Sequence, residues 1–527
     1  MKRFPLIAIA ALGITLSAVA APLKIGWATA DVSTDKPVHL QGVTRTRISK
    51  GLRFPITVTA LVIDNGEDSV IFNSWDTSCI FGDMALRVRD GVAKRIPGFP
   101  VEKIVFNATH THTGPSTWSG YTDPVSTAYR DMFAAKAIDT VVRAWNDRKP
   151  GKIAYGYDFA VTAFSRRPVY MDDLRKRPSK FGTPQTPGLS PDIHARLHGN
   201  SHDKYFSHME AAPDPFVNFL FTYDMNDKLT GAIFNVAFTS QVSQPDLMLN
   251  SDCWHDIRRE MKKEFGDGIH LLPQVAAAGD LTYKIPYYYK ATARKHELLF
   301  GRKEAFPGEF ERVRVTEQLM AAFRRTINWA NRELFDDLPI RHINTTLHLK
   351  RFYATPERIA EARENLKTLA EMKKNPPDDG PNELKTRSDR IRRAEINCRK
   401  ILKLNDEIQK KPTWAMEFHV LRIGEVAFVA ERYELYTDFG QCIQARSPFT
   451  QTFTIQLSAG LPDLPTGVAG YLPTARSLPN GGYQSHPINN RNAPSPEGGQ
   501  QMVDEAVRLL YELKKGDAKT PPSVEKK

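Results

Sequence analysis

Between residues 57 and 147 the hydrophobic pattern switches between strand and helix periods, and this alternation constrains the fold more than any other feature. Residues 57–64 are a mostly apolar run, Asn65-Gly66 is a tight-turn dipeptide, and 69–73 return the chain, so a hairpin is expected. A helix around 83–95 leads to a strand over 103–107. A second helix follows over 126–147, where Met132, Ala135, Ile138, Val141 and Val142 recur at helical spacing. Such alternation calls for a sheet covered by helices, which is an α/β class. With 41% apolar and 25% charged residues the composition is globular, which excludes wholesale disorder, collagen-like repeats and a coiled-coil rod. No internal repeat or clear linker appears. One large domain over 21–514 is expected, with mixed β-sheets flanked by helices.

The start of the chain predicts export. Lys2 and Arg3 precede an apolar run over 6–14, and Ala18-Val19-Ala20 supplies a small-residue cleavage pattern, so 1–20 reads as a signal peptide. No other run is long and apolar enough to span a bilayer, and the mature protein is expected in the periplasm or outside the cell. The formal charge of +12 becomes +10 once Lys2 and Arg3 are removed. That suits a mildly basic protein or one that visits anionic surfaces, and does not indicate nucleic acid. The 4 cysteines are scattered, which leaves one or two disulfides open but no disulfide scaffold.

Further along, 171–213 carries Pro, Gly, His and charge without periodicity and reads as a long surface insertion, a candidate lid. Strands are expected at 216–223 and 231–238, with Asp227 in the turn between them, and a helix at 252–265. Long charged helices are expected over 308–336 and 355–411, the latter broken near 375–381. Strands resume at 416–422 and 425–430, and the polar tail over 515–527 reads as disordered.

Two regions hold the side chains suited to chemistry. At Phe106–Pro115 a strand delivers His110 and His112 at i and i+2, so both can face one side before Gly114-Pro115 turns the chain. Imidazoles in that position serve as metal ligands or proton carriers; a pair of surface histidines in a turn is the plainer alternative. Downstream, Glu434 follows an apolar strand, and Tyr471 and Tyr483 lie in glycine-bearing stretches. Alone, Glu434 reads as an ordinary exposed acid and Tyr471 as a packing residue.

Taken in order, these pieces resemble the neutral ceramidase family, zinc-dependent amidases that split ceramide into sphingosine and a fatty acid. Ala108 to Pro115 is similar to that family's A-T-H-T-H-[ST]-G-P stretch. Ser165-Arg166-Arg167-Pro168 resembles N-R-x-P, and Pro213-Asp214-Pro215-Phe216-Val217 resembles I-D-P-x-V. Gly279-Asp280-Leu281-Thr282-Tyr283 resembles G-D-x-S-P, with Thr for Ser and Tyr for Pro. Arg432-Tyr433-Glu434 is similar to P-G-E, and Val468 to Thr474 is similar to Y-x-G-Y-[LV]-[PT]-T.

The resemblance implies zinc ligands at His110, Glu434 and Tyr471, and an active-site histidine at His112 beside the metal. It implies contacts to the substrate amide from Arg166 and Tyr483, and places Thr282 at a serine position near the reaction centre. The implied activity is hydrolysis of the N-acyl bond of ceramide or a similar N-acyl lipid by a metal-activated water. The partner would be a small-molecule or lipid substrate, with peripheral contact to a membrane surface, no transmembrane segment, no nucleic acid and no protein partner. One position departs: the family's second histidine ligand falls at Ala237, in Val236-Ala237-Phe238-Thr239-Ser240-Gln241. Gln241, Gln244 or a histidine of the insertion such as His194 or His198 would have to substitute. That departure keeps two alternatives open, a non-catalytic or metal-deficient binding protein and a related hydrolase of non-lipid, sugar-linked amides.

Overall fold

The computed structural model describes residues 22–43, 45–178, 185–374, 381–459, 470–486, 489 and 492–515, with 381–387 as backbone. The expected leader at 1–20, the break at 375–380 and the tail from 516 onward lie outside the described residues. The expected hairpin forms. Strand β1 (Lys24–Asp31) pairs antiparallel with β2 (Thr57–Asp64), and β2 pairs antiparallel with β3 (Ser69–Trp75). Helix α1 (Gly82–Arg95) crosses over to β4 (Ile104–Ala108), which lies parallel to β3. Helix α2 (Pro124–Asn146) starts on the Asp123 cap and leads to β5 (Lys149–Phe159). After the short strands β6 (Phe164–Ser165), β7 (Pro168–Tyr170) and β8 (Phe206–Met209) come β9 (Phe216–Asp224) and β10 (Leu229–Val236). Helix α3 (Cys253–Phe265) then precedes β11 (His270–Val275). The long strands form one sheet in the order β11-β10-β9-β5-β1-β2-β3-β4.

A second sheet comes from the later part of the chain. Beyond β12 (Leu281–Thr282), α4 (Tyr289–Phe300) and α5 (Glu309–Ala330) lie β13 (Ile340–Lys350), α6 (Pro356–Lys374) and α7 (Pro381–Lys410). Then follow β14 (Thr413–Ile423), β15 (Val426–Ala430), β16 (Glu434–Leu435) and α8 (Thr437–Arg446). Last come β17 (Gln451–Ile455), β18 (Tyr471–Leu472) and α9 (Pro496–Lys514). Strands β13-β14-β15-β17 make a four-stranded sheet.

The pleat explains how the two sheets meet. In β2, Val58, Ala60 and Val62 face α1 and α2, whereas Leu61 and Ile63 face the second sheet. There they join Phe72, Ile233 and Leu272 against Leu421, Phe428 and Phe453, with the Phe72 and Phe428 rings 4.9 Å apart. Each such fully buried side chain contributes about 1.5–3 kcal/mol of transfer free energy. Helices α3 and α5 cover the larger sheet beyond α1 and α2, and α8 with α9 cover the outer face of the smaller. The result is helices, sheet, sheet, helices, the α/β class expected from the sequence.

A buried polar network also joins the sheets. Arg89 Nη1 on α1 donates to Glu417 Oε2 on β14 at 3.0 Å, and His419 Nε2 lies 2.9 Å from Glu417 Oε1. Burial alone would raise the Glu417 carboxyl, but His419 and Arg89 outweigh it and hold it at about 2.

Four expectations change. The charged helix expected over 308–336 ends at Ala330, and β13 follows, a strand whose alternation is masked by His342, His348 and Lys350. The strand expected to reach 238 stops at Val236, where Phe238 N donates to Val236 O and turns the chain. The described part of the insertion 171–213 is pinned rather than loose: β7 pairs with β8, and the amides of His194 and Ala195 donate to Asn480 O at 2.8 and 2.9 Å. All four cysteines are free, so neither of the disulfides left open forms.

Candidate active site

Because β3 and β4 are parallel neighbours, the loops leaving their C-terminal ends start side by side, and Ser78 and His110 meet there. His110 lies two residues beyond β4 with φ 63°, in the left-handed region, which costs a residue with a β-carbon about 1–3 kcal/mol. This turn, rather than strand periodicity, brings the two imidazoles together, correcting the expectation of a shared strand face. Their rings meet edge to face at 4.9 Å. Ser78 O can only accept, so His110 Nδ1 donates to it, at 2.5 Å. That fixes the tautomer and leaves a lone pair on Nε2, 3.6 Å from Glu434 Oε2. Both atoms are buried and without a hydrogen-bond partner among the described residues.

Glu434 arrives from the other sheet. The two-residue strand β16 pairs in parallel with β18, in a register that sets Glu434 beside Tyr471. Gly279 passes against this pair: its N–H donates to Leu435 O at 2.7 Å, and an added Cβ would lie 2.3 Å from Glu434 O. Only glycine permits that approach. The next residue, Asp280, accepts from Thr437 N and Thr437 Oγ1, both at 3.1 Å, while its carbonyl accepts from Arg166 N at 2.9 Å. The run Gly279–Thr282 therefore ties the arginine's segment to the glutamate's. Arg166 Nη2 donates to Tyr471 Oη at 2.9 Å, whereas Arg167 turns away to pair with Glu210.

His110, His112, Glu434, Tyr471 and Tyr483 line one cavity of 320 Å³, with Cys79 and Arg432 in the same wall. Arg166 reaches it through Tyr471 and also lines a neighbouring cavity of 210 Å³, which holds Thr282 and His198. Thr282 is thus near the site but not in its main cavity. Gln241 is also apart from the His110–Glu434–Tyr471 set: its Nε2 donates to His112 Nε2 at 3.0 Å. Ala237 lines neither cavity and packs in the core beneath α3 and α5, and His194 faces Asp172 O.

Charge follows burial. Burial opposes ionisation of Glu434, but the His110 ring and Arg166 outweigh it and lower the carboxyl. Burial works against the Arg166 guanidinium as well, yet Tyr471 and Glu434 raise its pKa. Burial, with Glu434 adding to it, raises the Tyr471 phenol. Burial drives His112 well below the usual imidazole range, with His110, Arg47 and Arg166 adding to the effect. At neutral pH the site holds a carboxylate, a guanidinium and a neutral imidazole.

This donor set fits a divalent cation: an imidazole nitrogen and a carboxylate oxygen, both buried and orphaned, face one another beside a phenol. No group of three or more His, Cys, Asp or Glu side chains converges among the described residues, so Tyr471 would be the third donor. Sequence reasoning missed the groups that orient the histidines. Arg47 Nη2 donates to His112 O at 2.5 Å, and Gly42 lies so close to the His112 ring that a Cβ there would sit 2.4 Å from it. Neither residue carries a local pattern that points to the site.

No family model matches the sequence, and no curated protein sequence matches it. The fold does have solved counterparts. The neutral ceramidase from Pseudomonas aeruginosa superimposes with a TM-score of 0.59 and 16% identity, over 95% of this chain and 77% of that one. A ceramidase complexed with C2 gives a TM-score of 0.60, with the same identity and coverage. The chain has the fold of neutral ceramidase.

Proposed function

We propose that this protein is an exported, zinc-dependent, ceramidase-like hydrolase that cleaves the N-acyl bond of ceramide or a similar N-acyl lipid. The reading rests above all on one observation: His110, Glu434 and Tyr471 converge in a single cavity, on this fold, with Arg166 bonded to the phenol. Zinc held by those three side chains would supply Lewis-acid polarisation of the scissile carbonyl. The chain's own groups do the rest. Arg166 and Tyr483 supply donors for negative charge growing on the carbonyl oxygen. With Gln241 donating to Nε2, neutral His112 holds its proton on Nδ1, which has no partner among the described residues. Once Nε2 takes the proton of the attacking water in place of the Gln241 amide, the imidazolium so formed can pass a proton to the leaving amine and return to neutral. Among the described residues no helix is long and apolar enough to cross a membrane.

The test is release of fatty acid and sphingoid base from ceramide by the purified chain, alongside an N-acylated sugar as the non-lipid amide. Release from ceramide supports the reading; release from the sugar amide alone replaces it. Ala237 in the core and Gln241 committed to His112 favour a second reading, a binding protein that keeps the cavity without the metal. Tight binding of ceramide with no hydrolysis in added zinc would establish it.

A further inference from the structure

Residues 284–303 expose more apolar and charged surface than their packing requires. Helix α4 has no buried residue. It is held by a thin stripe of Thr292, His296 and Phe300 at four-residue spacing, with Phe300 stacked on Phe310 at 3.9 Å. The helical period turns Lys290, Arg294 and Leu298 away from that stripe. Leu298 and Leu299 are 67% and 62% exposed, and Tyr288, just ahead of the helix, is 77% exposed between Tyr287 and Tyr289, which are also exposed. Apolar surface grouped in this way marks a contact site.

Charge identifies what the contact meets. Lys284, Lys290, Arg294, Lys295, Arg302 and Lys303 stand against one acid, Glu297, in this segment. Arg302 pairs with Glu309. The other five form no ion pair among the described residues. The patch also adjoins the site: Lys284, Ile285, Pro286 and Tyr289 line the 210 Å³ cavity whose wall includes Arg166 and Thr282. Its base is anchored there, since Ser201 Oγ donates to Pro286 O and Tyr289 packs on His202 at 4.3 Å.

We propose that residues 284–303 dock this protein on an anionic lipid bilayer, with the site's rim turned toward the surface. Lysine and arginine are drawn to anionic headgroups, tyrosine settles at the headgroup level, and exposed leucines gain by entering the acyl boundary. The leucines decide against nucleic acid, which uses basic and aromatic side chains but offers nothing to aliphatic ones. The advantage of docking, access to a substrate resident in the bilayer, rests on the proposed lipid hydrolysis; the binding itself does not.

The experiment is flotation of the full chain with phosphatidylcholine vesicles, with and without phosphatidylglycerol. The wild type should float with the anionic vesicles and be released as salt rises. Lys290→Glu combined with Arg294→Glu and Lys295→Glu should weaken binding at least tenfold. Tyr288→Ser combined with Leu298→Ser and Leu299→Ser should weaken it similarly. Both variants should keep the wild-type Tm and unchanged turnover of a soluble short-chain N-acyl amide. A wild type that ignores anionic vesicles, or variants that bind them as well as it does, would overturn the proposal. So would a patch that binds an oligonucleotide or a second copy of the chain in place of vesicles. Vesicle binding without amide turnover would leave docking standing and reject the hydrolase reading; turnover without vesicle binding would do the reverse.

Discussion

Asp280 is 2% exposed, and burial raises its carboxyl from 3.8 to about 6. Above that value the native state must hold a buried charge that the unfolded chain exposes to water. The group's contribution to stability is therefore complete below about pH 3.8 and lost as pH rises through about 6. A shift of about two units at about 1.36 kcal/mol each puts the loss near 3 kcal/mol. Asparagine preserves the local contacts, because its Oδ1 can accept from Thr437 N while its Nδ2 donates to Thr437 Oγ1. Asp280→Asn should consequently match the wild type near pH 4 and become more stable by up to about 3 kcal/mol by pH 7. Urea unfolding followed by tryptophan fluorescence across that range measures the difference. A gap that stays constant with pH, or a variant less stable than the wild type at pH 7, would refute the reasoning.

Other substitutions probe the frame and the site. Arg89→Met leaves Glu417 and His419 buried without their cation and should cost about 3–5 kcal/mol at pH 7 in guanidinium unfolding. In the wild type the Glu417 contribution is complete above about pH 4.5 and is lost as pH falls through about 2, which acid titration of stability would follow. Gly279→Ala drives a methyl against the Glu434 carbonyl and should lower Tm and turnover together; an unchanged Tm would show that the loop yields freely. His112→Ala should cut turnover by about 10²–10⁴ with Tm nearly unchanged, and a fully active variant would remove His112 from the mechanism.

Much of the frame was legible because period and turn chemistry are local. The hairpin through Asn65-Gly66, α1, α2 and α3 all lie close to where apolar spacing places them. Strand β13 was not legible, since His342 is buried among its apolar positions and only three, Ile340, Leu347 and Leu349, bury as hydrophobics, while Arg341, Thr346, His348 and Lys350 are exposed. The two histidines stood out by their spacing at a strand end, whereas Glu434, Tyr471 and Tyr483 gained their place through ordered resemblance, and the cavity does gather them. What sequence could not show was tertiary: the left-handed turn at His110, the carbonyl of Ser78, and Gln241 reaching His112 from the loop beyond β10, more than a hundred residues away. The separation of Arg166 from Arg167 depends on Glu210, which no pattern near them announces.

Zinc stoichiometry of the purified chain, measured by elemental analysis beside His110→Ala and Glu434→Gln, tests most directly whether the orphaned pair is a metal site. The wild type should carry close to one zinc per chain, and each variant should lose most of it while remaining folded. A wild type that stays metal-free after incubation with zinc, or variants that retain full zinc, would contradict it.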